Sequence, residues 1–425
     1  MGSFVGGGGV LSDVVYSERA PGAEDADSAV APSKTRGLFA KRDVAGAVVT
    51  VPASLTVSWP GALETPVHRL LRPAFERSQV WGVALLYMWR LTRPGPAWTP
   101  PLQAPGPHAP SLFSDATYHA LRNTTGFDAL QALEREAARF EAHHATLRRF
   151  SSVFPPAFFD ATLARTTFLR VHATAIGCRA DSPGVSPPGA PETTTVLVGP
   201  MLDLLSFRND KEGGCRITCA DAGCAAELSV GAHGAGEEVC WNHGGLTDAE
   251  AFVKFGELPA RPDRWNRVAL QVPLADGALE PDLRRRQEAH IGKCGPASSF
   301  CVNAAGVSEA LLCATRVGAA VRHEVDPAEV DPNEPISEGN ERAALGVLAA
   351  TLEAILEGYP TSTDADEDLL RQAARRDAVT SAVQLRLNEK NLVINALNQL
   401  RYYEKFTLPR LKFQQAGSFE NDGEL

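Results

Sequence analysis

The chain changes from strand to helix within one short stretch, which reads Val239-Cys240-Trp241-Asn242-His243-Gly244-Gly245-Leu246-Thr247-Asp248-Ala249-Glu250-Ala251-Phe252-Val253-Lys254-Phe255-Gly256-Glu257. The first residues are apolar and predict a strand, and the paired glycines predict a turn. Thr247 or Asp248 then begins a helix, because either side chain can accept a hydrogen bond from a free backbone N–H group. The stretch therefore predicts a strand, a turn and a helix whose apolar residues are Ala251, Phe252 and Phe255.

This order resembles the SET-domain protein methyltransferases of the Rubisco large-subunit methyltransferase type, which include the actin-histidine methyltransferase. In that family a strand is followed by Tyr-Gly, four residues, Asn-x-Glu-Leu-Leu and then Tyr-Gly-Phe. Without a gap, His243-Gly244 falls on the first Tyr-Gly and Phe255-Gly256-Glu257 on Tyr-Gly-Phe. Asp248 falls on the Asn and Glu250 on the Glu.

Both tyrosine hydroxyls of the family's lysine channel are therefore missing from this sequence. The tyrosines of the chain are Tyr16, Tyr87, Tyr118, Tyr359, Tyr402 and Tyr403, so no shift of the alignment between Tyr118 and Tyr359 restores a phenol. The resemblance implies that His243 and Phe255 stand at the two catalytic positions and indicates an inactive site.

The positions that the resemblance assigns to the cofactor are also altered. Thr35-Arg36-Gly37-Leu38-Phe39-Ala40 is similar to the opening Gly-Arg-Gly-Leu-Phe-Ala of the family, with Thr35 in place of a glycine. Asp203-Leu204-Leu205 matches the family's Asp-Leu-Leu, but Ser206-Phe207 replaces the Asn-His pair that contacts S-adenosylmethionine. Ala173-Thr174 replaces a Ser-Arg pair. Arg36, Gly37, Asp203, Ser206 and Phe207 are thus implied to be vestigial cofactor positions, and we expect no cofactor to bind.

The resemblance implies an α+β fold in three parts. A β-rich SET-like domain spans residues 35–275 and is split by a helical insertion at about 62–170. An all-α domain at 276–410 resembles the substrate-binding domain that follows SET in this family. Residues 1–34 are rich in glycine and then in acids, which predicts a flexible N-terminal tail, and residues 411–425 form a C-terminal tail.

Helical periodicity predicts several buried helix faces. Trp81 to Trp89 reads as a buried segment, and Leu130, Leu133, Ala137 and Phe140 form one stripe of a later helix. We expect His143-His144, at the end of that helix, to lie on the surface. The last long helix carries Val383, Leu387, Val393, Leu397 and Leu400, and the pattern places Glu389-Lys390 on its outer side.

Charge and cysteine content exclude several classes of function. Lys and Arg total 41 against 51 Asp and Glu, giving a net charge of −10, and a nucleic-acid-binding surface requires a basic face instead. The eight cysteines are sparse for a disulfide scaffold, which favours reduced thiols in a reducing compartment. Cys215, Cys219 and Cys224 could ligate zinc, but their spacing fits a strand better, and we predict no metal site. No apolar run approaches the roughly 18–20 residues of a membrane helix.

Two hypotheses of function follow, from different classes. The first is a catalytically inactive SET-like protein that serves as a structural or binding subunit of a larger assembly of proteins. The alternative is an active S-adenosylmethionine-dependent lysine or histidine N-methyltransferase in which His243 replaces the tyrosine. A further hypothesis is a domain that binds a peptide in the substrate cleft without modifying it. We expect an intracellular location, in the cytoplasm or in the matrix of a mitochondrion or plastid.

Overall fold

The structure is a computed structural model in which residues 14–18, 36–40, 48–52, 57–63, 65–92, 113–180, 195–198, 206–207, 213–220, 223–230, 237, 240–241, 245–256, 258, 265–271, 285, 288–319, 333–373, 377–411 and 413 are described. These residues belong to two compact units. The N-terminal unit comprises the described parts of 1–117, 129–261 and 376–381. The C-terminal unit comprises those of 118–128, 262–375 and 382–425.

The strands of the N-terminal unit are short and mostly antiparallel. They are β1 (Val14–Glu18), β2 (Arg36–Ala40), β3 (Val48–Pro52), β4 (Val57–Ser58), β5 (Ile176–Ala180), β6 (Thr195–Val198), β7 (Ser206–Phe207), β8 (Gly213–Ala220), β9 (Gly223–Val230) and β10 (Cys240–Trp241). Among the described strands, six form one sheet in the order β3-β9-β8-β5-β6-β4, in which only β5 and β8 are parallel. The hairpin predicted around Cys215 and Val230 is confirmed as β8 and β9.

The segment expected to be a flexible N-terminal tail contains a strand. β1 pairs antiparallel with β2, with Val14 opposite Ala40 and Glu18 opposite Arg36. Val14-Val15-Tyr16 carries β-branched and aromatic residues that suit a strand. The glycine-rich and acidic composition around it hid this signal.

The first helices of the chain pack closely because of one glycine. They are α1 (Trp59–Leu63), α2 (His68–Arg77) and α3 (Gln79–Leu91), and the predicted burial of Trp81 to Trp89 is confirmed. A Cβ at Gly82 would lie 2.2 Å from Cγ of Phe75, so only glycine allows the backbone of α3 to approach α2 this closely. Trp59 packs edge-on against Phe75, with ring centroids 4.9 Å apart.

The next helices are α4 (Asp115–Leu121), α5 (Thr125–Thr146), α6 (Ala161–Thr174) and α7 (Asp248–Phe255). The predicted stripe of Leu130, Leu133, Ala137 and Phe140 on α5 is buried. The prediction that His143-His144 lies on the surface is wrong for His144, which is 4% exposed. Its Nε2 lies 2.8 Å from the carbonyl oxygen of Phe158, and this hydrogen bond satisfies the buried ring.

The C-terminal unit is mainly helical. Together with the sheets of the N-terminal unit, this confirms the α+β class. A small sheet of β11 (Arg267–Ala269), β12 (Cys301–Asn303) and β13 (Gly306–Val307) precedes α8 (Glu309–Ala319), α9 (Glu338–Gly358), α10 (Thr363–Gln372) and α11 (Ala378–Tyr402). Leu345, Leu348 and Leu352 of α9 share one core with Val393, Leu397 and Leu400 of α11. The strand around Val268 pairs with β12 and therefore lies in this unit.

The prediction that Glu389-Lys390 lies on the outer side of the last helix is wrong. The two residues are 1% and 2% exposed. Lys390 donates to Asp366 at 2.6 Å, and Glu389 accepts a hydrogen bond from the hydroxyl of Tyr359 at 3.1 Å. Charged groups are buried here because each charge has an opposite charge or a hydrogen-bond donor beside it.

The same network joins a middle segment of the chain to the C-terminal helices. Glu389 accepts hydrogen bonds from the backbone N–H of Thr125, which begins α5, and from its hydroxyl. Arg386 Nη1 donates to the carbonyl oxygen of Ala120 at 2.8 Å. These contacts explain why residues 118–128 belong to the C-terminal unit, although their sequence reads as part of the helical insertion.

Candidate functional site

The structure describes some of the predicted site residues and not others. Arg36 and Gly37 begin β2, and Ser206 and Phe207 form β7. Phe255 is the last residue of α7. His243 and Asp203 lie outside the described residues.

A pair of two-residue strands brings two predicted parts of the site together. β7 and β10 are parallel, with Ser206 opposite Cys240 and Phe207 opposite Trp241. The cofactor position predicted at Ser206-Phe207 therefore lies beside the strand Cys240–Trp241, which ends two residues before His243.

The position of Phe255 is fixed by the ends of its helix. Thr247 is the N-cap, and its hydroxyl accepts a hydrogen bond from the N–H of Glu250 at 3.1 Å. The Glu250 carboxylate accepts one in return from the N–H of Thr247 at 2.8 Å, which completes a capping box. Gly256 ends the helix with φ 73°, a left-handed conformation that favours glycine. Of the two predicted caps, Thr247 is the one used.

Phe255 stands beside a partly buried amine that the sequence did not single out. Lys254 Nζ lies 5.5 Å from the centre of the Phe255 ring and donates to the carbonyl oxygen of Ala175 at 3.3 Å. Burial lowers the pKa of Lys254 to about 8. Burial, together with the charge of Lys254, lowers the pKa of His172 on α6 to about 4, so this imidazole is neutral at neutral pH.

The described side chains of this region place one amine, that of Lys254, near apolar aromatic rings. Phe252, one turn before Phe255, stacks on Phe113 with ring centroids 5.0 Å apart. Phe255 has no hydrogen-bonding group, so it cannot orient a substrate amine as a tyrosine hydroxyl does. The sequence signal for Lys254 was its position in a mainly apolar run, Ala251-Phe252-Val253-Lys254-Phe255.

The lowered pKa of Lys254 leads to a prediction of how the stability of the fold depends on pH. Because the pKa of Lys254 is lower in the folded than in the unfolded chain, the unfolded chain binds more protons between about pH 8 and pH 10. We therefore expect Lys254→Met to be more stable than wild type at pH 7 and this advantage to shrink as the pH rises to about 10. Urea unfolding at both pH values measures the difference. The exposed control Lys405→Met should show no such change, and an equal change in both variants would contradict the prediction.

The described residues show no other candidate centre at these positions. Where side chains are described, no group of three His, Cys, Asp or Glu residues could hold a metal ion. Cys215 and Cys219 lie on β8 and Cys224 on β9, where Cys219 is opposite Cys224.

One open cleft of about 540 Å³ lies in the N-terminal unit and is lined by Arg148, Ser151, Phe154, Pro156, Ala157, Phe159 and Asp160, none of them a predicted site residue. None of the described helices has the length and apolar character needed to cross a bilayer.

The chain matches one family model in its C-terminal part and is similar in structure to several solved proteins. Residues 283–393 match the family model for the Rubisco LSMT substrate-binding domain. The chain is similar in structure to the SET domain of LSMT bound to methyllysine and AdoHcy, with a TM-score of 0.72 and 15% identity over 97% of this chain and 92% of that one. No curated protein sequence matches the chain.

Two further solved structures show the same likeness. Rubisco LSMT bound to sinefungin and monomethyllysine has a TM-score of 0.71 at 16% identity, covering 97% of this chain and 93% of that one. Rubisco LSMT bound to AdoMet has a TM-score of 0.67 at 15% identity, with the same coverage. The resemblance drawn from the sequence is thereby confirmed: the chain has the fold of the LSMT type of SET-domain protein, and its residues 283–393 match the model of the Rubisco LSMT substrate-binding domain.

Proposed function

We propose that this methyltransferase-like protein is catalytically inactive and serves as a structural or binding subunit of a larger protein assembly. The observation that carries the proposal is Phe255 at the end of α7, where the family has a tyrosine, in a chain with no tyrosine between Tyr118 and Tyr359. His243 occupies the other tyrosine position in the alignment.

Loss of these hydroxyls matters because methyl transfer depends on alignment. The amine must face the methyl group of the sulfonium in line, and a misplacement of about 1 Å can lower the rate roughly 100-fold. Phe255 offers a ring and no hydrogen bond, and Nζ of the chain's own Lys254 lies 5.5 Å from the centre of that ring.

The residues present also fit S-adenosylmethionine poorly. Solved relatives are bound to AdoMet or AdoHcy. In this chain the strand position of the Asn-His pair holds Ser206-Phe207, which offers one hydroxyl in place of an amide and an imidazole. We therefore propose that no cofactor binds and that the fold is kept for contacts with other proteins.

The direct test is an assay of methyl transfer. The full chain is incubated with methyl-labelled S-adenosylmethionine and with lysine- and histidine-containing protein acceptors. We expect no label above a blank without the protein. Phe255→Tyr should stay equally inactive, because one restored phenol leaves the Ser206-Phe207 position unchanged. Transfer by the wild-type chain would overturn the proposal.

The alternative is an active N-methyltransferase with an altered site. It is supported by the pairing of β7 with β10, which keeps the two parts of the site side by side. In this reading His243 orients the substrate or acts as a base. Methyl transfer that is abolished in His243→Ala would favour it, whereas activity retained in that variant would exclude the role of His243.

The partners in this proposal are proteins. The net charge of −10 disfavours the phosphate backbone of nucleic acids. Binding of a peptide in the old substrate cleft can be separated from binding elsewhere, because Phe255→Arg should block only the former. We propose an intracellular location, in the cytoplasm or in an organelle matrix.

A further inference from the structure

Two cysteines of the C-terminal unit are joined, contrary to the expectation of reduced thiols. Cys294 and Cys313 form a disulfide with their Cα atoms 5.7 Å apart and a sequence separation of 19. Cys301 lies between them in the sequence and is a buried free thiol. The low density of cysteines could not reveal this pairing, because it depends on which residues meet in space.

The two ends of the disulfide have different surroundings. Cys313 is 1% exposed on α8, between Leu311 and Ala314 of the core. Cys294 is partly exposed and ends a single 3-10 turn, Gly292–Cys294, after which Pro296, Ala297 and Ser298 are exposed. A reductant in solution therefore reaches the sulfur of Cys294 more readily than that of Cys313.

Hydrogen bonds hold the inner part of the bridged loop without the disulfide. The hydroxyl of Ser308 donates to the carbonyl oxygen of Ser299 at 2.7 Å and accepts from the N–H groups of Cys301 and Leu311. The N–H of Leu270 donates to the carbonyl oxygen of Phe300 at 2.8 Å. β12, β13 and α8 are thus secured by several contacts that reduction leaves intact.

The outer part of the loop depends more on the covalent bond. Residues 292–299 contain two 3-10 turns, each of three residues, and no α-helix or strand. Cys294 is partly buried against the core, as is Ile291 directly before this segment. Gly295, with φ 133°, makes the sharp bend between the two turns. Breaking the disulfide removes the covalent cross-link between this segment and α8.

We propose that Cys294–Cys313 is a reversible oxidation site that releases residues 292–299 when a dithiol reduces it. A thiolate of the reductant attacks the Cys294 sulfur, forms a mixed disulfide there and expels Cys313 as a thiolate, which takes up a proton. The second thiolate of the reductant then attacks its own sulfur in the mixed disulfide and expels Cys294 as a thiolate, which is protonated in turn. Two electrons pass to the protein, and the reductant leaves as a disulfide.

The site would reconcile a disulfide with an intracellular location, because a reversible bond needs no permanently oxidising compartment. It does not depend on whether the chain is an enzyme. Its effect is local, because the anchored α8 keeps its core contacts while the turns at Gly292–Cys294 and Ala297–Ser299 loosen.

The test uses the full chain in mixtures of reduced and oxidised dithiothreitol, without denaturant. Free thiols are trapped with N-ethylmaleimide and mapped by mass spectrometry, and hydrogen exchange is followed in parallel. We expect Cys294 and Cys313 to become alkylated together as the mixture becomes reducing. Amides in 292–299 should then lose protection while those in 301–319 keep it. The melting temperature should fall by about 5–10 °C.

Matched variants isolate this disulfide from the other cysteines. The double variant Cys294→Ser/Cys313→Ser should show the exchange pattern of the reduced chain in every mixture, whereas Cys301→Ser should respond as wild type does. Resistance of the native chain to excess dithiothreitol would overturn the proposal, since the bond would then be permanent. Free Cys294 and Cys313 in the fully oxidised mixture, or reduction without any change in the exchange of 292–299, would overturn it as well.

Discussion

Asp366→Ala is expected to lower the free energy of unfolding by about 3–5 kcal/mol, the cost of leaving buried cations without their counter-charge. Asp366 is fully buried and accepts hydrogen bonds from Arg386 Nε at 3.0 Å and from Lys390 Nζ at 2.6 Å. The hydroxyl of Thr361 donates to the same carboxylate at 2.6 Å. Arg386 and Lys390 are each 2% exposed and cannot turn to water when the carboxylate is removed.

Urea unfolding followed by circular dichroism measures this effect. The matched control is Asp368→Ala on the same helix, whose carboxylate pairs with Arg371 in solvent and should change stability by no more than about 0.5 kcal/mol. Equal effects of the two substitutions would contradict the structural role given to Asp366.

The same carboxylate makes the effect depend on pH. Burial alone would raise the pKa of Asp366, but the hydrogen bonds from Arg386, Lys390 and Thr361 outweigh it and lower the pKa. The unfolded chain therefore binds the proton first, at about pH 4. The stability that Asp366 contributes is present above that pH and is lost as the pH falls through the folded pKa, so wild type and Asp366→Ala should converge in acid.

Glu341→Ala is expected to cost a similar amount, about 3–5 kcal/mol. Glu341 is fully buried and accepts two parallel hydrogen bonds from Arg316 Nε and Nη2, both at 2.7 Å. The hydroxyl of Tyr403 donates to Glu341 at 2.9 Å. Burial, with Glu341 beside it, raises the pKa of Tyr403 to about 12, so the phenol stays protonated as a donor.

Two further variants separate charge from packing. Glu338→Ala, three residues earlier on α9, removes only an exposed pair with Arg342 and should change stability by about 0.5 kcal/mol or less. The double variant Arg316→Met/Glu341→Leu should recover much of the loss, because an apolar pair leaves no buried charge unpaired. A double variant as unstable as Glu341→Ala would show that shape and not charge dominates at this site.

Burial of charged and polar side chains, as in these two networks, could not be predicted from the periodicity of apolar residues. Helix faces made of leucine and phenylalanine, such as Leu130 to Phe140, were predicted because apolar side chains are buried at regular spacing. Glu389, Lys390 and His144 were placed on the surface because a charged or polar side chain is normally solvated. Each is buried where a partner from a distant part of the chain satisfies it, and that partner cannot be identified from local spacing.

The candidate site divides in the same way. The lack of a phenol at Phe255 follows from the sequence, since the tyrosines can be counted without a structure. The pairing of Ser206 with Cys240 could not be predicted, because strands of two residues carry no periodicity. The partial burial of Lys254 could not be predicted either, because it depends on His172 of α6 and on Ala175, the residue after that helix, which are distant in sequence.

The central claim, that this SET fold no longer serves methyl transfer, is tested most directly by calorimetric titration of the folded full-length chain with S-adenosylmethionine. We expect no heat beyond that of dilution, because Ser206-Phe207 offers a single hydroxyl in place of the amide and imidazole of the family's Asn-His pair. A saturable isotherm with a micromolar dissociation constant would contradict the claim.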